Sequence, residues 1–410
     1  MKRLSILGCR GIPGNHGGFE TFAERLAFYL ADKGWEVTVY CEDYVGKKIA
    51  EDYWNDIRLI KIPVAEASSV GTILFDWKST LHAAQEGDLI LTLGYNTAIF
   101  SIWYRIKGLT NIINMDGLEW KRQKWNALEK FWLYLNERAG CIVGNHLIAD
   151  HPEITKHLET RVASNKITMI PYGAKRVSKA NADCLTEFNL TPKDYCIVIA
   201  RPEPENNILE IVTAFSRSKR DTKLVILGNY KPDSNSYHRQ VLKAASDEVV
   251  FPGGIYEHEK VEALRYYASL YIHGHTVGGT NPSLVEALGA GSPILAHDNQ
   301  FNKWVAGAGA VYFRDESDCS YAFDLLLENA DELNRLMINS IKNFEESFTA
   351  EMECSAYEQV LEQALEGSLG KQTAQRVNTW NQRKLEEPTY SSFIKENADS
   401  IEKPANTPMT

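Results

Sequence analysis

The chain of 410 residues is too long for one ordinary hydrophobic core, so two domains are expected. Its hydrophobic content of 44% and charged content of 24% are typical of a soluble globular protein, and its net charge of −10 argues against general nucleic-acid binding. The seven cysteines are scattered without a CxxC pair, which indicates neither a disulfide framework nor a zinc site and fits a reducing cytoplasm. No segment resembles a signal peptide or approaches the roughly 18–20 apolar residues of a membrane span.

The first half of the chain alternates short apolar runs with helical patterns, which predicts a parallel, doubly wound sheet. A helix is expected over Phe19–Lys33, because apolar residues recur there at helical spacing and Gly34 follows. The predicted strands are Leu4–Leu7, Val37–Cys41, Ile57–Ile62, Leu89–Leu93, Ile112–Met115 and Cys141–Val143.

The second half repeats this alternation after a turn-rich, polar join between Pro171 and Asp183. Two α/β halves place a cleft between them, and ligands bind at the carboxyl ends of such strands. Residues 331–364 look helical, and the polar chain beyond Gly367 is expected to be poorly ordered. The predicted strands are Tyr195–Ala200, Lys223–Gly228, Val249–Phe251, Leu270–His273 and Pro293–Ala296, and the predicted helices are Asn207–Ser216 and His258–Ala268.

The most informative stretch, His273–Leu288, predicts a buried strand, a tight Gly-Gly turn and the start of a helix. Asn281 suits the N-cap and Pro282 the first helical turn. Such a start presents unpaired N–H groups and the positive end of the helix dipole, which suit a phosphate. Glu286 follows one turn later, where a carboxylate could bind ribose hydroxyls. The alternative is an ordinary strand–loop–helix with a glutamate facing solvent.

The loop Gly8–Glu20 follows the first strand and opens the first helix, which is the right place for a phosphate-binding loop. Its glycines are spaced G-x-x-G-x-x-G, not G-x-G-x-x-G. Glu42 and Asp43, after the second strand, could imitate the ribose-binding acid of an NAD enzyme. The glycine spacing disfavours that alternative.

Two further charged residues follow predicted strands. Arg201 could bind a diphosphate through its guanidinium, although a surface ion pair with Glu203 or Glu205 is the alternative. Asp116 could orient a reacting hydroxyl or stabilise positive charge on a sugar ring, although it could equally be a turn residue before Gly117. The sequence has no Asp-x-Asp triplet, so no metal site is expected and phosphate charge would be met by arginine and helix ends.

The segment Trp103–Trp132 interleaves tryptophan with lysine and arginine, which suits the headgroup region of a membrane. The alternative is that these aromatic residues form the core of one helix pair. We expect His273 and His275 to face different layers, with His273 in the core and His275 nearer the cleft.

The first Gly-Gly loop, Arg201 after a strand and the string Asn281–Pro293, in this order, resemble glycosyltransferase family 4, whose members are retaining GT-B enzymes. Four strings are more specific. They are Gly11–Phe22, Asp116–Arg122, Ala200–Asn207 and Gly278–Ser283. Together they are similar to the bacterial rhamnosyltransferase subgroup that acts on lipid-linked polysaccharide precursors. The resemblance covers about residues 1–365.

The resemblance implies an α/β GT-B fold: two Rossmann-like, doubly wound domains that face a cleft, with a C-terminal helix crossing back to the first domain. The expected boundaries are 1–175 for an acceptor-binding domain, 176–345 for a nucleotide-sugar-binding domain, 346–366 for the returning helix and 367–410 for the tail. It further implies a metal-independent transferase that moves a sugar, expected to be L-rhamnose from dTDP-L-rhamnose, onto a polyprenyl-diphosphate-linked sugar. The protein would lie on the cytoplasmic face of the cell membrane.

The resemblance also implies residue roles. The implied catalytic residues are Asp116, Arg201 and Glu286, and Asp116 lies where many members carry a histidine. The implied donor-binding residues are Gly17, Gly18, Arg201, Gly279, Thr280, Asn281 and Glu286. The acceptor or membrane side would comprise Glu20, Trp120, Lys121, Arg122, Lys124 and Trp125.

This sequence departs from the family pattern at two places. Gly278 replaces a glutamate that most members carry eight residues before the position of Glu286, and Asn206 and Asn207 occupy the region where most members carry a lysine. Both departures fit the rhamnosyltransferase-like subgroup, but they put the usual rules for donor identity in doubt. An NAD(P)-dependent oxidoreductase, a nucleotide-sugar epimerase and an inactive sugar-nucleotide sensor remain alternatives.

Overall fold

A computed structural model describes residues 2–14, 17–370 and Trp380. The tail predicted over 367–410 therefore lies, apart from residues 367–370 and Trp380, outside the described residues. No helix in the described part of the chain is long and apolar enough to cross a membrane.

The first domain is built on a sheet that has eight strands in the described residues. The strands are β1 Lys2–Leu7, β2 Trp35–Asp43, β3 Ala50–Trp54, β4 Ile57–Pro63, β5 Leu89–Leu93, β6 Asn111–Asn114, β7 His146–Ala149 and β8 Ile167–Met169. They lie in the order β3-β4-β2-β1-β5-β6-β7-β8. All neighbours are parallel except β3 and β4, so the predicted parallel sheet is confirmed with one antiparallel edge strand that the sequence analysis missed.

The helices of this domain begin and end where the sequence supplies caps. They are α1 Gly18–Asp32, α2 Ser69–Glu86, α3 Ile102–Lys107, α4 Ala127–Val143 and α5 Pro152–Glu159. Asn126 and Glu129 form a reciprocal capping box at the start of α4.

The strand predicted over Cys141–Val143 is wrong, because these residues form the last turn of α4. The buried residues Leu133, Glu137 and Cys141 recur every four positions, so the apolar triplet continues a helical face. The strand at this place in the sheet is β7, which begins after Gly144.

The second domain has a parallel sheet of six described strands. These are β9 Tyr195–Ile199, β10 Lys223–Leu227, β11 Val249–Gly253, β12 Leu270–His273, β13 Ile294–His297 and β14 Ala310–Phe313, in the order β11-β10-β9-β12-β13-β14. Its helices are α6 Ile208–Ser216, α7 Ser236–Ala244, α8 His258–Tyr267, α9 Pro282–Gly289, α10 Gln300–Ala306 and α11 Glu316–Leu327. The predicted repeat of the α/β pattern is confirmed.

The helical region predicted over residues 331–364 is two helices, α12 Ala330–Ser347 and α13 Ala350–Leu365. Thr349 caps α13 by accepting a hydrogen bond from the Met352 amide. The break redirects the chain from the second domain to the first.

Helix α13 packs against the first domain. The rings of Phe22 in α1 and Tyr357 in α13 lie 4.7 Å apart, and the Asn114 side-chain amide donates to the Tyr357 hydroxyl at 2.7 Å. Arg25 of α1 forms a buried ion pair with Glu353 of α13. These contacts tie the end of the chain to the domain where it began.

Candidate active site

The carboxyl ends of the central strands in both sheets meet at a cavity of about 510 Å³ between the two domains. This volume is in the range of small-molecule sites. We call the lining from the first domain and α13 the first wall, and the lining from the second domain the second wall.

The second wall contains the start of α9. The Asn281 side chain accepts from the Ser283 amide at 3.0 Å and Pro282 occupies the first turn, so the predicted N-cap is confirmed. The Tyr271 and Ser283 hydroxyls lie 2.7 Å apart. The positive end of the α9 dipole therefore points into the cavity.

One amide at this helix start already has a partner from the opposite wall. The Thr280 amide donates to Oδ2 of Asp150 at 2.9 Å, and the Thr280 hydroxyl donates to the Asp150 backbone carbonyl. A Cβ at Gly279 would lie 2.1 Å from Oδ1 of Asp150, so this approach requires glycine. A carboxylate therefore occupies the place predicted for a phosphate.

Asp150 is a cavity residue that the sequence analysis missed. It follows β7 directly, so the rule that ligands bind beyond strand carboxyl ends could have identified it. Burial, together with the nearby charge of Asp116, raises its pKa to about 7. Oδ1 of Asp150 has no hydrogen-bond partner among the described residues, so it is available to a ligand.

Asp116 lies at the end of β6 with a left-handed backbone, φ 49°. Its amide donates to Oδ1 of Asn114 at 2.8 Å, which stabilises the turn. Burial and then the charge of Glu119 raise the pKa of Asp116 to about 6. A Cβ at Gly117 would lie 3.3 Å from the Gly278 backbone, so the Asp116 loop and the Gly-Gly turn of the second wall are in close contact.

Gly278 lies where most family members are expected to carry a glutamate, and its backbone has φ 143°. A Cβ added there would meet no atom within 4 Å among the described residues. Space therefore exists for a side chain, but the backbone conformation favours glycine.

Arg201 follows β9 on the second wall and lines the cavity. The alternative partner Glu205 is bound elsewhere: its Oε1 accepts from Nε of Arg122 at 2.7 Å, across the cleft. No ion pair involving Arg201 is found among the described residues, which leaves its guanidinium available to an anion.

The middle of the segment Trp103–Trp132 contributes to the cleft. Nε1 of Trp120 donates to Glu137 at 2.6 Å, and Nε1 of Trp125 lies 3.4 Å from Glu119. The Lys124 ammonium lies 4.3 Å from the Trp125 ring, and Arg122, Lys124 and Trp125 line the cavity.

Hydrogen bonds from the two indoles and the ion pair across the cleft occupy polar groups of Trp120, Arg122 and Trp125. The role of this stretch on the acceptor or membrane side stays a prediction. Lys121 is exposed with its ammonium 5.4 Å from the Trp120 ring, at the edge of this segment.

The loop that precedes α1 contacts the second wall at Gly18. Gly17 precedes α1 with φ 114°, and a Cβ at Gly18 would lie 3.4 Å from Pro282. Oε1 of Glu20 accepts from the Arg10 amide at 3.0 Å, so this side chain holds the loop while it lines the cavity.

Glu286 lies one turn into α9 but outside the lining of this cavity. Its Oε2 accepts from Nη2 of Arg265 at 2.6 Å. The predicted ribose contact stays a prediction, and a ribose would have to approach a carboxylate that already forms an ion pair.

The histidine pair differs from the prediction. The rings of His273 and His275 stack at 4.4 Å, so the two side chains lie on the same side. The expectation of opposite layers was wrong, because residues two positions apart in an extended chain point to the same face. Only His275 lines the cavity; burial and then the charges of Arg122 and Arg201 lower its pKa to about 3, so it is neutral.

The first wall has a second acidic residue that the sequence analysis missed. Asp76 of α2 accepts from the Thr97 hydroxyl at 2.8 Å, and burial raises its pKa to about 7. Helical periodicity alone could not separate it from an exposed aspartate on α2.

Residues 187–343 match the family model described as "Glycosyl transferases group 1", and residues 1–175 match "Domain of unknown function (DUF1972)". The chain carries a glycosyltransferase group 1 domain. That domain contains Arg201, the start of α9 and the whole second wall. A comparison with curated proteins returns no match.

Solved structures similar to the whole arrangement show that the fold is GT-B, as predicted. Sucrose-phosphate synthase from Thermosynechococcus elongatus is 17% identical with a TM-score of 0.75, covering 90% of this chain and 100% of that one. HepE from Anabaena in complex with UDP is 14% identical with a TM-score of 0.68, covering 88% and 100%. A glycosyltransferase from Rickettsia africae is 13% identical with a TM-score of 0.64, covering 90% and 100%.

Proposed function

We propose that this protein is a retaining, metal-independent glycosyltransferase that moves a sugar from a nucleoside diphosphate onto a polyprenyl-diphosphate-linked sugar at the cytoplasmic face of the cell membrane. The observation that carries this proposal is the second wall. There, Arg201 and the start of α9 face one cavity within a group 1 glycosyltransferase domain. Both are suited to a diphosphate.

In the proposed reaction the bond between the anomeric carbon and the diphosphate oxygen breaks, and the diphosphate keeps the electron pair. Arg201 and the α9 amides stabilise the growing negative charge, as preorganised donors do in many enzymes. The acceptor hydroxyl attacks from the same face, forms the new glycosidic bond and gives its proton to the departing diphosphate. Asp116 on the first wall stabilises positive charge on the sugar ring.

The donor we propose is dTDP-L-rhamnose, on the resemblance of the four motifs to the rhamnosyltransferase subgroup. A uridine donor is the second candidate, because the structurally similar HepE has been solved with UDP and with UDP and glucose. The loss of a carboxylate at Gly278 removes one acceptor for donor hydroxyls, which fits a deoxy sugar.

The test is a panel of nucleotide sugars, each incubated with the protein and a synthetic polyprenyl-diphosphate sugar, with product mass as the measurement. We expect one sugar to be added from dTDP-L-rhamnose. Addition from UDP-glucose alone would replace the donor assignment. A thermal shift with NADH and none with dTDP or UDP would contradict the proposal in favour of an oxidoreductase.

A further inference from the structure

The outer surface of the first domain carries an unusual set of exposed apolar side chains. Eleven of the eighteen exposed large hydrophobic residues in the described chain lie on α2, on the turn before α3, on α3 and on α4. We call them the outer helix face: Val70, Leu74, Trp77, Ile99, Ile102, Ile106, Leu128, Phe131, Trp132, Leu135 and Ile142. Several of these side chains expose more than half of their surface, including Leu128 at 81% and Ile106 at 66%.

These residues form stripes and not scattered points. Val70, Leu74 and Trp77 recur at the spacing of one face of α2, and Leu128, Phe131, Leu135 and Ile142 do so on α4. A stripe that faces solvent on three helices is the reverse of normal helix packing, in which the apolar face is covered.

The three helices are neighbours. The Trp77 ring lies 5.1 Å from the Phe100 ring and 6.5 Å from the Trp103 ring, which joins α2 to α3. Nε1 of Trp132 donates to the Asn96 carbonyl at 2.9 Å, which joins α4 to the turn before α3. The exposed stripes therefore belong to one surface.

The charges on this surface are basic. Lys78, Arg105, Lys107 and Arg138 are exposed on the same helices, in a chain whose net charge is −10. The four acidic residues of these helices have other roles: Asp76 lines the cavity, Glu86 pairs with Arg58, Glu129 caps α4, and Glu137 is buried beside His157 and Arg161.

We propose that the outer helix face is the surface by which this protein lies on an anionic lipid bilayer. Exposed apolar and aromatic side chains bordered by lysine and arginine match an anionic headgroup interface. A second copy of the chain fits less well, because a two-fold interface would bring the basic residues of one copy against those of the other. Membrane binding by this face is independent of the proposed function. Only its consequence, that a lipid-held acceptor is delivered to the cleft, rests on the proposed function.

The face is coupled to the cleft by the same helices. Phe75 and Asp76 on the inner side of α2, and Tyr104 on the inner side of α3, line the cavity. If the outer helix face lies on a bilayer, only the thickness of one helix, about 10 Å, separates the headgroups from the first wall. A sugar carried on a membrane-held diphosphate could therefore enter the first wall while its lipid stays in the leaflet.

The test is sedimentation of the full chain with vesicles of phosphatidylglycerol and of phosphatidylcholine. We expect the wild-type protein to bind the anionic vesicles, and Ile106→Glu with Phe131→Glu to reduce partitioning at least tenfold. Both side chains are exposed, so the melting temperature should not change. Ile338→Glu, an exposed aliphatic residue on the second domain, is the matched control and should bind like wild type.

Three outcomes would overturn this assignment. They are wild-type protein that stays in the supernatant, a double variant that still binds, and a dimer in light scattering that the double variant abolishes. Release by Lys124→Ala with Trp125→Ala, while the double variant stays bound, would return the membrane contact to the cleft segment. Failure of sugar transfer with intact vesicle binding would count against the proposed function alone.

Discussion

The first wall of the cleft presents many carboxyl groups beside the cations of Arg10, Arg122 and Lys124, whereas the second wall presents amide groups, a guanidinium and a neutral histidine. The carboxyl groups come from Glu20, Glu42, Asp76, Asp116, Glu119, Asp150 and Glu353, and the second-wall lining among the described residues has none. A diphosphate would be attracted by the second wall, which has no carboxyl group in its described lining, and sugar hydroxyls would find acceptors on the first. This difference predicts that a bound nucleotide sugar would place its diphosphate against the second wall and its sugar toward the first.

Asp150 bonds directly to the second wall. Its carboxyl group bonds the Thr280 amide at the start of α9, where an anionic ligand is expected. Asp150 thus competes with a diphosphate for the same donor, and the following three changes test this division of the cleft.

The largest effect is expected from Asp116→Asn. Loss of the charge next to the reacting sugar should lower turnover about a hundredfold or more, the order found for positioned catalytic groups. Because its pKa is raised to about 6, Asp116 gains a proton as the pH falls through 6, so wild-type turnover should fall below that pH. Initial rates between pH 5 and 8 measure this.

The control for that change is Glu36→Gln, an exposed carboxylate on the first domain outside the cavity. It should leave rates unchanged. Weaker binding of dTDP or UDP by Asp116→Asn, at unchanged turnover, would move Asp116 from the reacting sugar to donor binding.

A smaller but clear effect is expected from Arg201→Ala. Removing a charge-assisted contact with a diphosphate should cost about 1.5–3 kcal/mol, which corresponds to at least a tenfold loss in kcat/KM. Calorimetry with dTDP and UDP should show weaker binding as well. The control is Arg217→Ala, which removes an exposed arginine paired with Glu316. Near-normal turnover of the Arg201 variant would contradict the assignment of Arg201 to the diphosphate.

The smallest effect, of opposite sign, is expected from Asp150→Asn. Removing this charge should strengthen binding of a nucleoside diphosphate about fivefold, from roughly 1 kcal/mol of relieved repulsion. The pKa of Asp150 is raised to about 7, so wild-type affinity should rise as the pH falls through 7 and the group becomes neutral. The variant should lose this rise in affinity between pH 8 and pH 6, which calorimetry at the two pH values measures. Weaker nucleotide binding by the variant would mean that Asp150 orients the donor.

The two α/β domains, most of the strand positions and the capped start of α9 could be predicted from the amino-acid sequence. These features depend on local periodicity and capping chemistry, which neighbouring residues carry. The errors were also local. Cys141–Val143 has a strand-like composition but continues the buried face of α4, and His273 and His275 are two positions apart, a spacing that places both on one face.

The polar groups that share the cleft could not be predicted, because folding brings them together from distant parts of the chain. Asp150 and Thr280 are 130 positions apart, and Arg122 and Glu205 are 83 apart, so no spacing in the sequence relates them. The tertiary structure also divided the segment Trp103–Trp132, because Arg122, Lys124 and Trp125 line the cleft while α3 and α4 expose apolar side chains. Which side of a helix is covered depends on what packs against it, and that is determined by contacts distant in the chain.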